Sequence, residues 1–375
     1  MRVEPPVPAE ALAKIRGALA SAGAEAVDAP ILQPLNLLLD LAGEAMRARL
    51  FVVQAEGEAE SCLRPDFTVA VVRRHIESGA ASGRYSYEGS AFRAAPNSDD
   101  PEEFLQLGLE LFAPMDGSPT SADAEAAGLA WKAAAAGGRD DLTLWLGDVG
   151  LFAAFIESLG LPEALAARLR RVAGRPRLLA AELARVGETP GPSAGGQLAA
   201  LLSGLSEPQA AGMLEEIWAL AGIEPVGGRG PAEIAARLVR RAAAAEAPAL
   251  TEAQAQAIRA FMAISEAPVA GLRKVAELGG KSPALASALA DWDARLAALS
   301  DIPPGRMRFA PALGHAFDYY DGLTFEVRSE ALGANRPVAS GGRYDSLLAR
   351  LGGASDPRAV GLMVRPWRAF AGGEA

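Results

Sequence analysis

The feature that most restricts the possible folds of this chain is a run of alternating residue types between Glu103 and Phe112, written EFLQLGLELF. Side chains on a β-strand point alternately to its two faces, so the run predicts a strand with four leucines on one face, namely Leu105, Leu107, Leu109 and Leu111. The leucine face needs a packing layer. The other face carries Gln106, Gly108 and Glu110, an amide and a carboxylate with no side chain between them. This polar face either holds a small polar molecule or lies open to water.

Three zones follow one another along the chain. Residues 1–150 and 301–375 mix helical and strand patterns, whereas residues 151–300 are rich in alanine and leucine and helical throughout. Stretches rich in Pro and Gly at 189–196 and 224–231 interrupt the middle zone. The pattern predicts an α+β fold, with one discontinuous, sheet-based domain interrupted by an all-helical insertion.

Within the two flanks, periodicity places the individual elements. Before the insertion, the predicted helices cover 8–22, 66–76 and 120–136, and the predicted strands cover 50–54, 84–93, 103–113 and 142–146. After it, the predicted strands cover 307–313, 323–327, 337–339 and 360–364, and a helix covers 344–351. Asp66 is well suited to cap the second helix, and His75 is expected on its surface.

Charge and cysteine usage exclude several classes of protein. The formal net charge of −10 argues against a nucleic-acid function, because phosphate contacts require a basic surface. The single cysteine, Cys62, is expected to be a buried small residue, and it permits no internal disulfide, which fits a reducing cytoplasm. No apolar run of about 18 residues occurs, so we expect no membrane span, and the N-terminus lacks the plan of a secretory signal. We expect no metal and no cofactor.

Three short motifs carry polar groups, and each also has an ordinary structural explanation. Arg64-Pro65-Asp66-Phe67-Thr68 places an acid and a hydroxyl at a helix start, where capping is common. Asp318-Tyr319-Tyr320 reads as a turn entering a strand. Ser340-Gly341-Gly342 places two glycines before a helix, where free backbone amides could meet a small anion.

Taken in their order along the chain, these segments resemble the catalytic domain of class II histidyl-tRNA synthetases. The shared motifs are Arg64-Pro65-Asp66-x-Thr68, Phe92-Arg93, Gln106-Leu-Gly-x-Glu110, Asp318-Tyr-Tyr320 and Gly341-Gly-Arg-Tyr344-Asp345. The resemblance covers about 1–150 and 305–368. It implies a class II aminoacyl-tRNA synthetase-like antiparallel sheet flanked by helices, and dimers that form through the N-terminal region.

Carried over position by position, the resemblance implies a pocket for histidine. Its predicted residues are Asp66, Thr68, Arg93, Gln106, Glu110, Tyr320 and Tyr344. The first two would face the α-amino group of the ligand, and Gln106 would lie by its backbone. Glu110 and Tyr320 would bond the two imidazole nitrogens, which need separate partners. Tyr344 would line the pocket, and Arg93 would either serve this site or pair with the acidic loop that follows it.

Other positions depart from the synthetase pattern. His315 stands where the synthetases have an arginine that assists activation, and it is either a packed core residue or a site residue. Ala95 replaces an acid, and the loop 97–103 that follows is acidic rather than basic. Arg365 replaces a glycine that gives adenosine room, although Arg368 is kept. The chain stops at residue 375, so we expect no anticodon-binding domain. Together the departures imply that the histidine pocket survives and the ATP and tRNA machinery is lost.

This selective loss resembles the regulatory paralogues of the synthetase that act in histidine biosynthesis, which share segments like Leu144–Phe152. The resemblance implies a non-catalytic subunit that is required for the first step of the pathway. Its partner would be the short form of the ATP phosphoribosyltransferase catalytic subunit, with homodimers inside a hetero-octamer and L-histidine as feedback inhibitor. Histidine could use the synthetase-like pocket or a subunit interface. The alternatives are a truncated histidyl-tRNA synthetase-like adenylate-forming ligase and a tRNA-binding sensor.

Overall fold

The computed structural model describes residues 1–42, 44–54, 59–95, 98–112, 118–172, 176–186, 205–221, 250–313, 319–353 and 358–373. The helices are α1 Ala9–Ala20, α2 Leu35–Ala42, α3 Thr68–Ser78, α4 Pro119–Ala136, α5 Val149–Ser158, α6 Glu163–Val172, α7 Pro176–Ala184, α8 Glu207–Ala221, α9 Glu252–Met262, α10 Pro268–Gly279, α11 Pro283–Ala298, α12 Asp345–Arg350 and α13 Pro366–Ala369. Short 3-10 helices cover Glu44–Arg49 and Pro304–Arg306. His315 and Asp318 lie outside the described residues, as do Pro96 and Asn97 of the acidic loop.

The strands form two sheets. They are β1 Glu25–Ala26, β2 Leu32–Pro34, β3 Val52–Val53, β4 Ser61–Leu63, β5 Gly83–Phe92, β6 Glu103–Phe112, β7 Leu142–Asp148, β8 Met307–Phe309, β9 Leu323–Ser329, β10 Ala339–Arg343 and β11 Ala359–Val364. Eight of the described strands form one sheet in the order β1-β5-β6-β11-β10-β9-β7-β8, and the other three form a small sheet in the order β2-β4-β3. Pairing in the large sheet is antiparallel except at β1–β5 and β7–β8. The predicted sheet flanked by helices is confirmed.

Strand β6 lies inside the large sheet, and both of its faces are covered. Leu107, Leu109 and Leu111 are buried, and α1 and α13 contact this strand and supply the packing layer that the alternation requires. Gln106 and Glu110, on the other face, are 1% and 0% exposed. The expectation of a face open to water is therefore wrong, and the polar side chains lie in the interior.

One of the two predictions made for the helix beside this face is wrong. His75 is buried rather than exposed, because its ring stacks on Phe112 at 4.3 Å between centroids. Helix α3 begins at Thr68, and the Asp66 carboxyl lies beside the backbone N–H groups of Thr68 and Val69 in its first turn, as expected of a residue near the helix start.

The predicted strand at 337–339 instead covers Ala339–Arg343, and this shift removes the proposed anion site. Gly341 and Gly342 are paired to β9 on one side and to β11 on the other, so they belong to the sheet rather than to a loop. A β-carbon at Gly341 would overlap the carbonyl oxygen of Gly361 in the neighbouring strand. Glycine is needed here because the strands approach closely, and not because a ligand does.

The chain divides into two compact units, 1–154 with 261–375 and 155–260. The second unit is helical in its described part, with Leu165, Leu169, Leu179 and Leu214 in its interior. The first unit holds the sheet together with α10 and α11, although residues 268–298 fall within the predicted insertion. No described helix has the length and hydropathy to cross a membrane, and the described residues contain no cluster of His, Cys, Asp or Glu that could hold a metal ion.

A buried ionic network fastens α11 to the sheet. Asp123 of α4, which is 0% exposed, accepts hydrogen bonds from the Nε atoms of Arg295 and Arg343 at 2.8 and 2.9 Å. Trp292 of α11 donates its indole N–H to Asp148 at 2.8 Å. These contacts explain why α11 belongs to the sheet-containing unit although its composition matches the helical zone.

Candidate functional site

A cavity of about 80 Å³ opens on the polar face of the large sheet, beside the start of α3. Six of the seven predicted histidine-binding residues line it, namely Asp66, Thr68, Arg93, Gln106, Tyr320 and Tyr344. The seventh, Glu110, lies next to the cavity without lining it. The structure therefore brings together residues from five separate sequence motifs, and their role in binding histidine stays a prediction.

Glu110 is held by two hydroxyl groups. Its Oε1 accepts a hydrogen bond from Thr68 at 2.7 Å, and its Oε2 accepts one from the Tyr344 hydroxyl. Burial raises the pKa of the Glu110 carboxyl to about 8, against the two hydroxyl donors, which lower it. Gly361 lies opposite Glu110 in the β6–β11 ladder, and a β-carbon there would overlap Oε2. The glycine thus makes the room that this carboxyl occupies.

Asp66 is a buried carboxyl beside an arginine. Neither of its oxygens makes a hydrogen bond of good geometry among the described residues, although the backbone N–H groups of Thr68 and Val69 and the hydroxyl of Tyr319 lie close enough to lower its pKa. Burial raises the pKa of Asp66, and the charge of Arg93 opposes this rise. The Nε of Arg93 donates to the carbonyl oxygen of Pro65 at 2.8 Å, which keeps the guanidinium near the cavity.

Tyr87, Tyr319 and Glu326 also line the cavity, and the sequence analysis did not predict them. Tyr87 lies opposite Gly108 in the β5–β6 ladder, where its ring fills the space that the missing side chain leaves. Its hydroxyl donates to the carbonyl oxygen of Leu362 at 3.2 Å and accepts from Gln106 at 3.4 Å. The alternation of tyrosines in β5 could have suggested an inward face, but the register with β6 was needed to place Tyr87.

The cavity is rich in hydrogen-bond acceptors that lack donors. Both oxygens of Asp66 and the Oε1 of Gln106 are buried without a partner in the described part of the chain. A buried acceptor without a donor costs about 1–3 kcal/mol, so these atoms favour a ligand that carries several N–H groups. The surrounding rings of Tyr87, Tyr319, Tyr320 and Tyr344 suit a flat, partly apolar group.

Beside the cavity, Arg365 is 3% exposed and has its partners within the chain. Its guanidinium makes an ion pair with Glu4 and lies 3.5 Å from the ring centroid of Phe104. Burial and the charge of Arg368 together lower the pKa of Arg365 to about 9, although Glu4 opposes both. The aromatic face and the space above it are therefore occupied by this chain's own arginine.

Other charged side chains near the cavity also form ion pairs within the chain. Glu326 accepts a hydrogen bond from the Nε of Arg328 at 2.7 Å. Asp100 of the acidic loop lies 3.2 Å from the Nε of Arg336 and 3.9 Å from Arg368. The acidic loop thus faces arginines of the same chain.

Replacing Gly361 with alanine is expected to displace Glu110, because the added methyl group would overlap its Oε2. Overpacking of this kind costs about 1–3 kcal/mol, and urea unfolding should show a midpoint that falls accordingly. Gly17→Ala is the matched control, since Gly17 lies in α1 with open space around it. Equal stability of the two variants would contradict the packing described here.

A family model described as histidyl-tRNA synthetase matches residues 7–221 and 230–366. The ATP phosphoribosyltransferase regulatory subunit of Mesorhizobium japonicum is 36% identical over 363 residues, covering 94% of each chain. The protein of the same description from Brucella anthropi is 35% identical over 361 residues, covering 93% of each chain.

Two solved structures share the fold. A Bacillus halodurans protein described as an ATP phosphoribosyltransferase regulatory subunit/histidyl-tRNA synthetase has a TM-score of 0.64 at 20% identity, covering 99% of this chain and 81% of its own. The histidyl-tRNA synthetase of Nostoc sp. PCC 7120 has a TM-score of 0.61 at 16% identity, covering 98% of this chain and 73% of its own. At these identities the likeness concerns the fold alone.

Proposed function

Since the chain belongs to the ATP phosphoribosyltransferase regulatory subunits, within the histidyl-tRNA synthetase family, we propose that it activates an ATP phosphoribosyltransferase catalytic subunit and makes it sensitive to histidine. The partner is a short-form catalytic subunit, and this chain forms a homodimer within a hetero-octamer. The complex works in the cytoplasm, where the buried thiol of Cys62 stays reduced. The enzyme that it regulates carries out the first step of histidine biosynthesis.

The unmatched acceptors of the cavity support histidine as the ligand. An α-ammonium group offers three N–H donors to the oxygens of Asp66 and Gln106, and the imidazole offers one more. The tyrosines provide a flat enclosure for the ring. The ammonium group is common to all amino acids, so the preference for histidine over apolar analogues comes from its imidazole, which brings a flat ring and one more N–H donor.

The ion pairs beside the cavity support a non-catalytic role. Adenylate formation requires an adenine and a triphosphate next to the amino acid, and here Arg365 covers Phe104 while Glu326 is bound to Arg328. A nucleotide that stacked on Phe104 would have to displace the buried guanidinium of Arg365. We therefore propose that synthetase chemistry is lost and that histidine acts only as an effector.

In this proposal, histidine shifts an equilibrium between two arrangements of the complex, because it binds them unequally. A coupling free energy of about 1–3 kcal/mol corresponds to a change in activity of about 5–150-fold. The effect is reciprocal, so the catalytic subunit should change the affinity of this chain for histidine by the same factor.

Mixing the purified chain with a short-form catalytic subunit should stimulate phosphoribosyl transfer, and histidine should inhibit the stimulated reaction. Asp66→Asn should keep the stimulation and weaken the inhibition by histidine at least tenfold, about 1.4 kcal/mol, because a charge-assisted bond to the ammonium is lost. Asp291→Asn, at an exposed position of α11, is the matched control and should behave like the natural chain. Absence of stimulation would contradict the proposal.

The alternative is a truncated histidyl-tRNA synthetase-like adenylate-forming ligase, which the retained Arg93 and Arg368 favour. It predicts histidine-dependent exchange of pyrophosphate into ATP by the chain alone. We expect no exchange, and a measurable rate would replace the regulatory proposal with the enzymatic one. A tRNA-binding sensor would instead shift tRNA in a gel in a salt-dependent manner.

A further inference from the structure

Glu110 combines complete burial with the absence of a counter-charge. It is 0% exposed, and its hydrogen-bond partners in the described part of the chain are the hydroxyls of Thr68 and Tyr344, with no cation in an ion pair with it. The guanidinium nearest the cavity, Arg93, instead opposes the charge of Asp66. A bare carboxylate in such a place is costly, because neither solvent nor a cation compensates its charge.

Apart from the hydrogen bonds of Thr68 and Tyr344, the groups around Glu110 do not relieve this cost. The polar groups around Glu110 are one carboxyl, one amide and several hydroxyls. Asp66 and Thr68 lie at the start of α3, Tyr87 lies on β5, and Gln106 lies on β6. Tyr319 and Tyr320 come before β9, and Tyr344 follows β10. The neighbouring strand β11 contributes only the backbone of Gly361. The second carboxyl, Asp66, repels a negative charge on Glu110.

The two hydroxyl partners of Glu110 can hydrogen-bond to its carboxyl group in either the protonated or the ionised form. A hydroxyl donates one hydrogen bond and can also accept, so Thr68 and Tyr344 can both donate to a carboxylate. If Glu110 carries a proton, one of them can rotate its O–H and accept that proton in a hydrogen bond. The site can therefore exchange a proton without moving any heavy atom.

We propose that Glu110 holds a proton in the unliganded protein and gives it up when a basic amino acid enters the cavity. The O–H bond of the Glu110 carboxylic acid breaks, and its proton passes to the imidazole when the ring enters neutral. It passes to solvent when the ring enters already protonated. In both cases the product is a carboxylate beside an imidazolium, and the ligand supplies the missing counter-charge. This inference rests on the proposed histidine site and assigns that site a preference for basic side chains.

The direction of the pKa shift agrees with this exchange. Burial raises the pKa of Glu110 to about 8, so the carboxyl is protonated at neutral pH and ionises as the pH rises through about 8. A cation in the cavity favours the ionised form and lowers that pKa. Release of the Glu110 proton and binding of the ligand are therefore linked.

Infrared spectroscopy tests the proposal directly, because a protonated carboxylic acid has a C=O stretch that a carboxylate lacks. The unliganded full chain should show this band at pH 7, and it should disappear with a midpoint of about pH 8. Saturating histidine at pH 7 should remove it completely. Glu110→Gln should lack the band, and Asp66→Asn should retain it, which assigns the band to one of the two carboxyls.

A second measurement avoids any variant. Histidine labelled with ¹⁵N in its ring should be bound as the imidazolium at pH 8, where the free ring is neutral. Calorimetry on the same sample separates the two possible failures. No heat of binding would contradict the proposed histidine site, whereas binding with an unchanged acid band and a neutral bound ring would overturn the proton exchange.

Discussion

Replacing Asp123 with alanine is expected to lower the free energy of unfolding by about 3–5 kcal/mol, because it strips two buried guanidinium groups of their shared carboxylate. Arg295 and Arg343 both donate to Asp123, which is itself fully buried. Their remaining contacts, at 3.7 Å to Asp148 and 3.0 Å to Asp345, do not replace a carboxylate at 2.8 Å. Urea unfolding followed by circular dichroism measures the loss.

Asp301→Ala is the matched control for this experiment. Asp301 is exposed and lies 4.0 Å from Lys132, and an exposed pair of this kind contributes about 0–1 kcal/mol. Asp123→Asn keeps one acceptor, so its loss of stability should lie between those of Asp123→Ala and Asp301→Ala. If Asp123→Ala and Asp301→Ala unfolded at the same urea concentration, the network would not be the anchor of α11.

The second large effect is expected at Glu4, whose replacement by alanine leaves Arg365 buried and without its carboxylate. Removing one partner of a buried ion pair costs about 3–5 kcal/mol, whereas replacing both by apolar residues is often neutral. Glu4→Ala should therefore be strongly destabilising, and Glu4→Ala combined with Arg365→Met should recover most of the loss. Arg365→Met alone should also be destabilising, since it leaves Glu4 uncompensated.

The natural chain, the two single variants Glu4→Ala and Arg365→Met, and the double variant form a double-mutant cycle. Urea unfolding of all four gives the coupling free energy between the two side chains. We expect a coupling of at least about 2 kcal/mol, because both charges are buried. Lys14→Ala with Glu10→Ala forms the control cycle on an exposed pair, where the coupling should be about 0.5 kcal/mol or less. Additive effects at Glu4 and Arg365 would mean that the pair contributes no more than a surface contact.

The arrangement of the sheet could be predicted where one segment carries its own periodicity. The alternation of β6 identified the strand and its leucine face, and the change from mixed to helical patterns marked the insertion. The end of the insertion was less predictable, because α11 has the composition of the helical zone. Its place is decided by Trp292 and Arg295, whose partners lie more than a hundred residues away.

The candidate site was predictable to the extent that its residues belong to motifs. Asp66, Gln106 and Tyr344 were found in this way, and all three line the cavity. Tyr87 was not, because its place depends on the register between β5 and β6. His75 was placed on the surface because a single polar residue on a helix gives no sign of the ring that will stack on it.

The ion pair between Glu4 and Arg365 also limits how a lineage that carries it can change. Losing the arginine leaves a buried carboxylate without a partner, and losing the carboxylate leaves a buried guanidinium in the same state. Replacing the pair by single substitutions must therefore pass through a less stable intermediate. Two substitutions, one near each end of the sequence, would have to occur together to avoid that loss of stability. The pair is therefore difficult to lose once it is present.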